Sequence, residues 1–105
     1  MFSINNITWF LKFVKPQDIS LQRSDGGYTV GVCDNQDKTI YINETLQGAF
    51  LWKVLCHEVA HAAMFSYGIT LTLEQEELLA DLIATYGQEI ISVTNRLFKK
   101  LKERY

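Results

Sequence analysis

A chain of 105 residues, 48% of them hydrophobic, has room for a single minimal domain over residues 1–105 built on one core. A net charge of −2 offers no electropositive footprint, so direct nucleic-acid binding is not expected. Two cysteines make no disulfide framework, no basic stretch leading into an apolar run opens the sequence, and no apolar run reaches membrane-spanning length; a cytoplasmic protein without a membrane partner is expected.

Ile7 to Val14 reads as a strand, with Trp9, Leu11 and Phe13 alternating with Phe10, Lys12 and Val14 until Pro16 stops it. Ser24-Asp25-Gly26-Gly27 closes an irregular polar stretch with a turn. Tyr28 to Cys33 and Thr39 to Asn43 read as two further strands, joined as a hairpin by Asp34 to Lys38. Ala49 to Tyr67 is a helix: Leu51, Val54, Leu55, Val59 and Ala62 recur at helical spacing, and Gly68 suits the stop.

The last helix runs from about Leu73 to Lys102. Thr72 and Gln75 have the form of a capping box, acidic residues crowd its start, and Lys99, Lys100, Lys102 and Arg104 crowd its end, in keeping with the dipole. Leu79, Leu82, Ile83, Tyr86, Ile90, Val93, Leu97 and Leu101 are expected to face the core. Ala80, Ala84 and Gly87 form a small-residue stripe beside them, suited to a close helix contact. Cys33 and Cys56 read as small buried hydrophobes, and Tyr67 and Tyr86 as core aromatics rather than oxyanion donors.

The only two histidines, His57 and His61, lie four residues apart. At about 100° per residue that step returns to nearly the same helical face, so both imidazoles reach one point in space. A Zn²⁺ ion accepts such nitrogens at roughly 2.0–2.1 Å. Glu58 falls beside that point rather than under it, where a carboxylate can take a proton from water next to the metal. Two ligands and a general base on one face is the logic of H-E-x-x-H.

Catalytic zinc sites usually have three protein ligands, and no third histidine exists here. Glu77 and Asp81 share a face of the last helix that borders the small Ala80–Ala84 stripe. Glu77 is expected to bind metal, and Asp81 to accept the second N–H of a ligand imidazole. Glu76, about 100° round the helix, is the competitor and is expected, like Glu74, to face solvent.

His57-Glu58-Val59-Ala60-His61, followed by Glu77-Leu78-Leu79-Ala80-Asp81-Leu82-Ile83-Ala84, resembles small gluzincin-type metallopeptidases. Within them it is similar to the ImmA/IrrE-like peptidase family of bacteria, phages and mobile elements, whose second motif has the form E-x-x-A-[ND]-x-x-A. The strand Thr39–Asn43 shortly before the histidine helix suits that family too. The resemblance spans roughly Tyr28 to Gln88. It implies zinc held by His57, His61 and Glu77, Glu58 as base, Asp81 as support, and a sheet edge beside the site. It also implies a protein or peptide substrate, a repressor in some members.

These readings converge on an α+β fold: a small antiparallel sheet of about three strands, then the H-E-x-x-H helix and a long C-terminal helix. The expected function is zinc-dependent hydrolysis of a peptide bond. The alternative is a catalytically silent zinc-binding interaction or regulatory module.

Overall fold

The structure, a computed structural model, describes residues 1–104. Its first element is one the sequence pattern does not announce. Strand β1 (Phe2–Ile4) and strand β2 (Ile7–Val14) form a hairpin through Asn5-Asn6, with Phe2 opposite Trp9. Both asparagines have positive φ, 50° and 64°, the conformation that two-residue hairpin turns require and that asparagine tolerates. Three residues are too few for an alternation to stand out, so only the turn pair marked this strand.

After a 3₁₀ turn at Ile19–Leu21, strands β3 (Gly31–Asp34) and β4 (Thr39–Asn43) complete a sheet of order β1-β2-β4-β3. The β3–β4 hairpin is antiparallel as expected. Its turn is held by the Asp34 carboxylate, which accepts from the backbone N–H groups of Gln36 and Asp37. The sheet itself differs from the expectation: it has four strands, and β2 pairs with β4 in parallel. A parallel pair needs a long crossover, here the whole of residues 15–38, and no local signal marks such a pairing. β3 also starts later than Tyr28. That residue bridges to Gln22, and Thr29 donates to the Leu21 carbonyl, so the segment is drawn to the 3₁₀ turn.

Helix α1 (Gly48–Ser66) lies on the sheet, where Val54 and Ala62 meet Trp9, Ile40 and Ile42. The last three are fully buried, each worth about 1.5–3 kcal/mol. Gly68 at φ +64° ends the helix as the sequence implied, with its N–H bonded to Phe65 O and that of Ile69 to Met64 O. The N-terminal hairpin is tied to this end of α1. The Trp9 indole N–H donates to Ser66 Oγ at 2.7 Å, and the Asn5 amide to the Ser66 carbonyl at 3.0 Å.

Helix α2 (Leu73–Arg104) opens with the anticipated capping box: Gln75 N–H donates to Thr72 Oγ1, and Thr72 N–H to Gln75 Oε1. Its first half packs on α1 through Ala80, fully buried against Ala60 and Met64, with Leu79 and Ile83 alongside. Its second half corrects the expectation of a continuous core stripe. At about 1.5 Å per residue, the 32 residues of α2 far outrun the 19 of α1. Leu82, Tyr86, Ile90, Leu97 and Leu101 are all exposed.

Removing the Ser66 hydroxyl would strand the buried indole N–H of Trp9 without an acceptor. Ser66→Ala should therefore lose about 1–3 kcal/mol in denaturant unfolding, while Ser66→Thr, which keeps the hydroxyl, should lose much less.

Candidate metal centre

The four-residue step on α1 does what the spacing implied. His57 and His61 stand edge to face, ring centroids 4.8 Å apart, with their Nε2 atoms 3.1 Å from each other. From α2, Glu77 closes on both: Oε1 lies 2.8 Å from His61 Nε2, and Oε2 lies 3.4 Å from His57 Nε2. Asp81 Oδ1 accepts from His57 Nδ1 at 2.9 Å.

Glu76 is where the expectation fails. It does not face solvent: its side chain is only 16% exposed, and Oε1 accepts from His61 Nδ1 at 2.6 Å. The reason is Ala80. On a helical wheel it falls between Glu76 on one side and the Glu77–Asp81 row on the other. Because Ala80 is a methyl buried against α1, the helices approach closely enough for carboxylates on both sides of it to reach the histidines. A contact one row wide would leave Glu76, 100° from Glu77, outside the site; this contact is wider.

A carboxylate accepts hydrogen bonds and cannot donate them when ionised. Asp81 and Glu76 therefore hold the ring hydrogens on both Nδ1 atoms. In the neutral rings both Nε2 atoms are then bare lone pairs, and they face each other and the anionic oxygens of Glu77. Donor atoms of these three residues all lie within 4.8 Å of one another. So many lone pairs at such distances repel unless positive charge sits among them. The separations of 3.1, 3.4 and 2.8 Å also bracket the roughly 3.3 Å edge expected of tetrahedral ligands at about 2.0–2.1 Å from zinc. The donor set of two imidazoles and one carboxylate fits that ion.

Glu58 is buried between α1 and the sheet and is not in the donor group. Burial pushes its carboxyl up to about 7; His57 opposes this and Glu77 adds to it. A residue the sequence reading passed over makes room for it. A Cβ built on Gly31 of β3 would stand 2.8 Å from Val54 Cγ1 and 3.1 Å from Glu58 Oε2. A glycine inside a strand is a signal of such close approach. The two thiols are half-buried, less enclosed than the buried hydrophobes expected. Burial, with the charges of Glu58 and Glu76, pushes Cys33 up to about 12, and the thiol is not in the donor group. Tyr67, at the end of α1, and Tyr86, on the open face of α2, are exposed rather than core.

A histidine pair on one helix, a glutamate between them, and a carboxylate closing from the next helix form the arrangement of zincin-like metallopeptidases. The chain belongs to the SprT-like family, which is related to those enzymes and whose family model matches residues 1–74. That match includes the sheet and the whole of α1 but stops before Glu76, Glu77 and Asp81, which the geometry alone supplies. It does not bear out the ImmA/IrrE-like group specifically. No curated protein and no solved structure gives a significant match. Among the described residues, no helix is long and apolar enough to cross a membrane.

Two outcomes check this geometry. Asp81→Asn and Glu76→Gln should each weaken zinc binding by about 10–100-fold in a chelator-competition titration. The larger loss should fall to Glu76→Gln, because its carboxylate is the better shielded from water. Gly31→Ala should lower stability by about 1–3 kcal/mol in denaturant unfolding, since the added methyl overpacks Val54 and Glu58.

Proposed function

We propose that the protein is a zinc-dependent metallo-endopeptidase, with His57, His61 and Glu77 holding the ion, Asp81 and Glu76 fixing the rings, and Glu58 as general base. The observation that carries this reading is the pair of bare Nε2 atoms facing Glu77, beside a buried carboxyl that is not part of the donor group. Bound zinc would supply a polarised scissile carbonyl and a more acidic water. Glu58, with a pKa raised to about 7, is matched to the rest. It accepts a proton as the water oxygen bonds to the carbonyl carbon, then delivers that proton to the amine nitrogen as the C–N bond breaks.

The substrate we propose is an extended protein segment. β3 is an edge strand, and a Cβ on its Gly31 would stand 3.1 Å from Glu58, so the unpaired side of β3 offers backbone groups near the base. The ImmA/IrrE-like resemblance favours a repressor of phage or mobile-element type as that segment's source. The free thiols of Cys33 and Cys56 favour a reducing, cytoplasmic setting. The net charge of −2 favours a protein rather than a nucleic-acid partner.

Glu58→Gln separates an enzyme from a silent zinc module. The variant keeps shape and loses the basic oxygen, so it should retain about one zinc per chain by metal analysis. Its cleavage of a co-expressed repressor should fall by about 10²–10⁴-fold. Equal cleavage by both forms would remove Glu58 from the mechanism. A zinc-loaded wild type that binds its partner without cutting it would make the module the better description.

A further inference from the structure

The open half of α2 carries a repeat that the metal centre does not use. Ile83, Tyr86, Ile90, Val93 and Leu97 alternate in steps of three and four, the spacing of a coiled-coil seam, and Ile91, Phe98 and Leu101 widen the exposed apolar face beside it. Past Ile83, α1 does not cover this seam: Tyr86 is 57% exposed, Ile90 50% and Leu97 56%. Leu82, Tyr86, Ile90 and Val93 line a depression of about 450 Å³ along it. Glu89 and Arg96, both exposed, flank the seam on the same side, one heptad apart.

The helix is also polarised end to end. Glu74, Glu76 and Glu77 lie in its first two turns, and Lys99, Lys100 and Lys102 near its end. Laid parallel and in register on a copy of itself, such a helix meets like charge at both ends; laid antiparallel, it avoids this. With a two-fold axis between Ile91 and Ser92, Ile90 of one chain packs on Val93 of the other, and Tyr86 on Leu97. Residues on the same flank meet across an antiparallel seam, so Glu89 of each chain then faces Arg96 of the other.

We infer that the second half of α2 is a dimerisation surface on which a second copy of this chain docks antiparallel. The seam self-complements in its apolar spacing and, through Glu89 and Arg96, in charge, and the symmetry closes, so the assembly stops at two. A basic amphipathic helix can also lie on an anionic lipid surface, but Glu89 beside the seam opposes that and suits a protein partner.

The test is sedimentation equilibrium of the full chain between about 1 and 200 µM, with reductant present. The wild type should form a dimer in that range. Ile90→Asp and Leu97→Asp alter exposed positions, so they should keep the helical circular dichroism while weakening the dimer by about tenfold or more. Glu89→Arg and Arg96→Glu should each weaken it, and the double exchange should restore it. A wild type that is monomeric throughout, or a dimer that survives both aspartate variants, overturns the proposal. A double exchange that fails to restore association overturns the antiparallel pairing. A monomer that sediments with phosphatidylserine–phosphatidylcholine vesicles, and loses this with Leu97→Asp, assigns the face to lipid and also overturns it.

Discussion

The close approach of α2 to α1 at Ala80 is the contact on which the candidate metal centre rests. Ala80 is fully buried against Ala60 and Met64, and a larger side chain there would hold the helices apart. The carboxylates on either side of Ala80 have only one or two methylene groups before their oxygens. They reach His57 and His61 because the backbones are near, and three of them do so at once. The small stripe is therefore a distance setting: it decides which side chains across the interface meet.

The sheet fixes the other side of the site. Trp9, Ile40 and Ile42 seat α1, and the Trp9–Ser66 hydrogen bond ties its end to the N-terminal hairpin. At the opposite edge, Gly31 lets β3 come within van der Waals reach of Glu58. This closeness removes water from the Glu58 carboxyl, and loss of water is the main reason its proton is held up to about 7. The surroundings of Glu58 are thus set by a strand and the candidate donor group by a helix pair, two contacts on different faces of α1.

Much of this was legible in the sequence, and the parts that were not share a cause. His57, Glu58, His61, Glu77 and Asp81 fall together because helical periodicity is a local rule, and local rules can be read from spacing. The capping box at Thr72 and the stop at Gly68 were legible for the same reason. The parallel pairing of β2 with β4, the place of Glu76 beside His61, and the exposure of Tyr86 and Ile90 all depend on how elements meet. Periodicity identifies the apolar face of α2 but not its cover, and α1 is too short to cover all of it. Gly31 lies between these cases: its presence inside a strand was visible, while the identity of its neighbour was not.

The division of the donor atoms between two helices has a thermodynamic consequence. His57 and His61 come from α1 and Glu77 from α2, so an ion held by all three cross-links the helices. Whatever binds the docked arrangement and not the open one stabilises docking by linkage. Without a cation, Glu76, Glu77 and Asp81 bring negative charge together around rings whose Nε2 lone pairs already face each other. That repulsion opposes the apolar contact at Ala80. With a cation, the same atoms become the strongest tie between α1 and α2. Packing at Ala80 and occupancy of the site are therefore one equilibrium, in which the small-residue contact brings the ligands within range and the ion relieves the charge that closeness creates.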